Sequence, residues 1–150
     1  MLTEVLFYHL TESKLEDALP GLLQRSVARG WNVVVQTGTE ERRDALDAHL
    51  WTYTEESFLA HGCDNEEQAA ETPIVLTTSQ ANINAAQIRF HVDGAVPPSL
   101  DGYERSIFMF DGHDETQLED ARAQWKSLKA AGHQLTYWQQ NAEKRWEKKA

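Results

Sequence analysis

The chain has 150 residues, with 24 Asp and Glu against 14 Lys and Arg, a formal net charge of -10 and one cysteine. That length fits one domain with room for a sizeable core, and 41% apolar residues with five Trp exclude a disordered chain. The lone Cys63 excludes an internal disulfide framework and a cysteine-rich zinc module, and the acidic mean disfavours direct binding to nucleic acid.

No apolar run approaches the roughly 20 residues of a membrane helix. The opening MLTEVLFYHLTE lacks the basic start and long apolar stretch of a secretion signal, so a cytoplasmic protein is expected. Val5 to Tyr8 reads as a first strand. Thr11, with Glu12 close behind, offers an N-cap. Leu15, Leu19, Leu22, Leu23 and Val27 then recur at helical spacing until Gly30. Pro20 removes a hydrogen bond inside that pattern, which implies a kink or a helix beginning at the proline. Trp31 to Gln36 (WNVVVQ) is a buried-type strand. Thr39 caps a second helix with Ala45, Leu46 and Leu50 on its apolar side.

Residues 52–73 are the least regular, and CDNEEQAAETP is expected as a surface loop. Strands follow at 74–78, 88–92 and 106–110, with a proline-forced loop at Pro97 and Pro98. Asp114 with Gln117 three residues on resembles a capping box for a helix that stops at Gly132. A last strand is expected at 134–138, and 139–150 as a short basic helix or tail. Strands alternating with helices predict an α/β fold: one Rossmann-like, three-layer α/β/α domain over 1–150, its sheet largely parallel and possibly mixed.

Charge is unevenly distributed. Residues 1–120 hold 7 Lys and Arg against 22 Asp and Glu, a balance of -15. Residues 121–150 hold 7 against 2, a balance of +5. Such asymmetry marks either a solvated helix face or a patch for a partner of opposite sign.

Catalytic and cofactor motifs are absent. The turn after the second strand, QTGTEER, has one glycine, and neither G-x-G-x-x-G nor G-x-x-x-x-G-K-[ST] occurs. Asp111, His113 and Asp114 in FDGHDE contain metal-ligand atom types, but a strand-to-helix turn capped by Asp explains the same letters. His61 and Cys63 carry no nucleophile signature. His9, His49, His91 and His133 are scattered, and surface or satisfied histidines account for them. No cofactor or metal is implied.

Two surfaces stand out. Trp51, Tyr53 and Phe58 cluster after the second helix, suiting either core or an interaction surface. Arg122, Trp125, Lys126 and Lys129 share one face of the third helix by i+3, i+4 and i+7 spacing, leaving Leu118, Ala121, Leu128 and Ala131 for the buried side. Cations around an indole suit an acidic peptide with an aromatic or carboxylate end. Dipole-favoured cations at a helix C-terminus explain Lys126 and Lys129 equally, but leave Trp125 unexplained unless it turns inward.

The segments LDAHLWTYTEESFLAHG, ALPGLLQRSVARGWNVVV and WKSLKAAGHQLTYWQQNAEKRWEKKA resemble the chi subunit family of bacterial DNA polymerase III. The resemblance implies a Rossmann-like accessory subunit of the clamp-loader complex without catalytic activity. It implies two partners: single-stranded DNA-binding protein (SSB), gripped by its acidic, phenylalanine-ended C-terminal tail, and the psi subunit or an alternative helicase. Aligned on Gly132, the tail-binding positions fall on Arg122, Trp125, Lys126 and Lys129, and the psi or helicase surface on Trp51 and Phe58. Two further readings stay open beside it. One is a small α/β enzyme or nucleotide binder with a site at the strand C-termini. The other is single-stranded DNA bound through Trp138, Trp146 and the cations of 144–149.

Overall fold

The computed structural model describes residues 3–52, 61–100 and 102–150. In chain order the elements are β1 (Glu4–Leu10), α1 (Leu15–Ala28), β2 (Val33–Gln36), α2 (Glu40–Thr52) and β3 (His61–Cys63). A 3-10 turn (Ala69–Glu71) precedes β4 (Ile74–Thr77), β5 (Ile88–His91) and β6 (Arg105–Asp111). Then come α3 (Glu115–Ala130), β7 (Gln134–Gln140) and β8 (Trp146–Lys148). The strands form one eight-stranded sheet in the order β3-β4-β2-β5-β6-β1-β7-β8. Every neighbouring pair is parallel except β7 and β8.

Strand alternation sets the layers. Leu6, Tyr8 and Leu10 of β1 face the same side as Leu15, Leu19, Leu22 and Leu23 of α1 and Leu46 and Leu50 of α2. Val5 and Phe7 face the other side, with Leu118, Ala121, Trp125 and Leu128 of α3. Period two along the strand therefore puts α1 and α2 on one face and α3 on the other. The three-layer, mostly parallel sheet expected from the sequence is present.

Local signals placed most elements, with three corrections and one choice between alternatives. Thr11 does not cap α1: its hydroxyl donates to the Gln140 carbonyl at 3.0 Å, and the helix begins after Lys14 with no side-chain cap. Of the two readings of Pro20, the helix does not start there: α1 runs through the proline, which is buried. The capping box is half formed. Asp114 accepts from the Gln117 amide at 3.1 Å, but Gln117 Oε1 takes the Asp111 amide at 2.9 Å instead of returning to the cap. Finally, the basic helix expected within 139–150 is a hairpin arm. β8 pairs antiparallel with β7, and Lys144 makes the turn at φ 65°. Sheet pairing with β7 outweighs the weak helical pattern of this segment.

Within the stretch expected as irregular, His61–Cys63 forms the edge strand β3 alongside β4. Thr39 caps α2 as expected, accepting from the Arg42 amide at 3.2 Å. Gly30 and Gly132, at φ 82° and 90°, close α1 and α3. Each is followed by a residue whose amide reaches back five positions, Trp31 to Ser26 and His133 to Leu128. That paired-bond stop needs the left-handed backbone glycine adopts without penalty.

Where no helix covers β2 and β5, loops do. Arg89 is fully buried there and uses its whole guanidinium. It donates to Gln36 Oε1 (3.2 and 2.6 Å), the Ser79 and Ala81 carbonyls (2.6 and 3.1 Å) and the Tyr103 hydroxyl (3.1 Å). Beside it His91 stacks on Phe108 at 4.4 Å, with Nε2 2.8 Å from Ser106 Oγ. Burial, reinforced by the Arg89 charge, pushes the His91 imidazole down to about 3. An unfolded histidine takes up its proton near pH 6.5, so the unfolded chain binds more protons than the folded one below that pH. Stability is therefore retained above about pH 6.5 and lost progressively as pH falls toward 3. Urea midpoints should show a loss of up to about 2 kcal/mol between about pH 7.5 and 5, and His91→Gln should flatten much of that slope.

Candidate protein-docking cleft on the third helix

α3 anchors itself through one stripe and presents another. Leu118, Ala121, Trp125 and Leu128, three or four residues apart, lie on the sheet. Trp125 turns inward in part. It meets Phe7 edge-on at 5.3 Å and Tyr137 at 5.7 Å, so the residue is partly buried and keeps part of its surface accessible. Arg122 and Lys126 flank it and are exposed. Between them and β7 opens a cleft of about 400 Å³, lined by His9, Phe110, Leu118, Trp125 and Tyr137, with Arg122 and Lys126. The hairpin supplies the far lip: the Tyr137 amide donates to the Ala150 carbonyl at 3.3 Å.

Three of the four residues expected to act together thus line one cleft. Lys129 is exposed one turn further along the helix, outside the lining. Ala131, expected on the buried side, is exposed at the C-cap. Among the described residues no carboxylate pairs with Arg122, Lys126 or Lys129. The cleft is therefore apolar at its floor and positively charged at its rim, and it suits a ligand with a ring or aliphatic group next to a carboxylate. Its floor residues His9, Phe110 and Tyr137 were not singled out from the sequence as a site. The alternation of FYHL, which puts His9 on the same side as Phe7, was the available signal.

Trp51, expected after the second helix, lies inside the last turn of α2 with 57% of its surface exposed, its ring centred 4.5 Å from that of His61. Tyr53 and Phe58 lie outside the described residues. Trp51 sits by the β3 edge and the cleft by β7. Six strand steps separate those two strands, a span of roughly 30 Å.

The remaining candidates resolve into structural roles. In FDGHDE, Asp111 accepts from the His113 amide (2.8 Å), Asp114 caps α3, and His113 Nε2 lies 2.9 Å from the Thr11 carbonyl. His61 Nε2 contacts Asp47, at 3.3 Å from Oδ1. Cys63 lies with Asp47 and Glu66 in a group whose ligand atoms fall within 4.8 Å. Burial, with Asp47 next in effect, pushes its thiol up to about 12. Trp138 and Trp146 pack on the α1 side, stacking on Tyr8 at 6.5 Å and meeting it edge-on at 4.8 Å.

A second crevice, of about 460 Å³, lies at the C-terminal ends of β1 and β6, between the turns that lead into α1 and α3. Arg42 crosses it, hydrogen-bonded to Glu16 and 3.1 Å from Asp93. Burial holds Asp93 above the usual carboxylate range despite Arg42. For Glu16, burial is outweighed by the Arg42 hydrogen bond and charge, and its carboxyl is held low.

The fold and clefts define the class: a three-layer α/β protein with a mostly parallel sheet, no glycine-rich phosphate cradle, and an aromatic cleft rimmed by cations on its third helix. The family described as DNA polymerase III chi subunit, HolC, matches residues 2–136, and the chain belongs to that family. The chain is also similar to a protein of Rickettsia prowazekii (strain Madrid E) named "Probable DNA polymerase III subunit chi". They are 27% identical over 81 residues, a match covering 54% of this chain and 49% of that relative.

A thiol that is 5% exposed and protonated is a poor nucleophile. Iodoacetamide at about pH 8 should leave Cys63 unmodified in the native protein and alkylate it fully in denaturant, as intact mass would show. Rapid native labelling would reopen the case for a reactive cysteine.

Proposed function

We propose that this protein is a non-catalytic, cytoplasmic accessory subunit of the clamp-loader complex of the bacterial replicative polymerase, and that it links that complex to SSB by holding SSB's acidic C-terminal tail. The observation that carries this reading is the meeting of Arg122, Trp125 and Lys126 on one aromatic cleft, with no carboxylate among the described residues paired to either cation. Membership of a DNA polymerase III subunit family supports the setting in replication. In this role Arg122 offers a fork to a carboxylate, and Lys126 and Lys129 supply point charge. Trp125 and the ring floor take the tail's terminal aromatic side chain.

The exposed Trp51, with Phe58, would hold the second partner, the psi subunit or a helicase. Its place by the opposite sheet edge lets both partners bind at once. The acidic body (-15 over residues 1–120) keeps the protein itself off DNA while its basic end holds the protein that coats DNA.

The crevice beside β1 and β6, with its perturbed Asp93, is what a small α/β enzyme or nucleotide binder would offer. It carries less weight because Arg42 is committed to Glu16 and Asp93, and Glu12 and Asp111 also line the crevice and would repel phosphate. Direct DNA binding loses its stacking platform, since both hairpin tryptophans pack on Tyr8.

A synthetic Asp-rich peptide ending in Phe should bind the protein and bind more weakly as salt rises. Arg122→Ala and Lys126→Ala should each lower its affinity by about ten-fold, read by calorimetry. Wild-type binding by both variants would remove the proposed site. In pull-downs from source-cell lysate, Trp51→Ala and Phe58→Ala should lose the second partner and keep SSB. Loss of SSB instead would place the two surfaces wrongly.

A further inference from the structure

The floor of the α3 cleft contains a polar group that the cationic rim does not explain. Alternation along β1 carries His9 to the α3 side one step beyond Phe7, where the apolar cluster ends and the cleft begins. Its ring lies on Phe110 (4.9 Å between centres, 26° between planes) and meets Tyr137 edge-on at 6.0 Å. The Tyr137 hydroxyl sits 2.8 Å from His9 Nδ1. Space is kept for the ring by Gly112, directly after β6: a Cβ there would come within 2.3 Å of His9 Nε2 and 2.9 Å of the Leu10 carbonyl oxygen. A phenol donates more readily than it accepts, so the hydroxyl proton goes to Nδ1 and the neutral imidazole carries its own proton on Nε2. Among the described residues that N–H has no acceptor.

We infer that His9 is a positioning group for an acidic ligand in this cleft: Nε2–H holds a carboxylate oxygen while Arg122 holds the same carboxylate from the rim. The ligand's apolar side chain then lies on Phe110, Leu118 and Trp125. This rests on the reading of the cleft as the site of an acidic tail, and it adds a recognition group from β1 to those on α3.

The groups facing His9 are Asp111 and His113 from the turn after β6, Arg122 from α3 and Tyr137 from β7. Burial lowers its pKa first, His113 and Arg122 add to that, and Asp111 opposes them, so the free protein keeps it neutral at neutral pH. A bound carboxylate favours the imidazolium. Binding therefore takes up a proton, and affinity rises as pH falls through the imidazole range. On protonation Nδ1–H donates to the Tyr137 oxygen, so no hydrogen bond is stranded.

The test is titration of the Asp-rich, Phe-ended peptide at about pH 5.5 and about pH 7.5. It is run on wild type, His9→Phe, which keeps a stacking ring without nitrogens, and Lys126→Ala. Wild type should bind more tightly at the lower pH, while His9→Phe should bind about ten-fold more weakly and lose the pH slope. The ring-nitrogen resonances of His9 in the unsubstituted protein should report the Nε2–H form when free and move toward imidazolium on peptide addition. An amidated peptide separates the two sources of the carboxylate. Amidation that weakens wild type but not His9→Phe identifies the terminal carboxylate, and amidation without effect on wild type identifies an Asp side chain. Unchanged affinity and slope in His9→Phe, with unmoved His9 resonances, would overturn the inference while Lys126→Ala still binds about ten-fold more weakly. If Lys126→Ala binds normally too, the tail-site reading itself is wrong.

Discussion

Parallel pairing of β1 on both sides is the constraint from which the rest follows. Over Glu4 to His9 each residue faces a partner in β6 and another in β7, so Phe7 lies between Phe108 and Tyr137. Parallel neighbours need crossovers, and the two that involve this strand leave on opposite faces. α1 carries the chain from β1 to β2, and α3 carries it from β6 over β1 to β7. The crevice between β1 and β6 opens where those connections diverge. The α3 cleft forms where the helix no longer covers the ends of β1, β6 and β7. Both hollows are consequences of one strand's pairing.

The electrostatic arrangement is equally local in origin. Among the described residues, some acidic groups of the body are held by arginine. Arg42 binds Glu16 and Asp93, and Arg43 binds Asp44 and Asp64 at 3.0 Å each. Arg89, by contrast, spends its charge on neutral oxygens to fasten loops over the uncovered part of the sheet. The cations of α3 do neither, since among the described residues no carboxylate pairs with them. Cations paired within the fold and cations left unpaired among the described residues thus occupy different elements.

Much of the fold was legible because it rests on local rules. Thr39 and Asp114 cap helices as their positions suggest, Gly30 and Gly132 end them, and the VVV and IVL runs are buried strands. The misreadings arose where distant partners competed for the same atoms. Thr11 is taken by Gln140, on a strand more than a hundred residues later, and Gln117 by Asp111. His61–Cys63 and Trp146–Lys148 have little strand signal of their own and become strands because an edge was available to pair with.

The sequence alone determined the alternation of strands and helices, the absence of a glycine phosphate cradle, and the sharing of one helix face by Arg122, Trp125, Lys126 and Lys129. Those are properties of neighbours in the chain, readable from periodicity and residue chemistry. Only the tertiary structure decided that Trp125 packs partly into the core, that Lys129 stands outside the cleft, and that His9, Phe110 and Tyr137 form its floor. Those residues come from three strands far apart in sequence. Sheet order and register bring them together, and these depend on long-range pairing that no local pattern encodes.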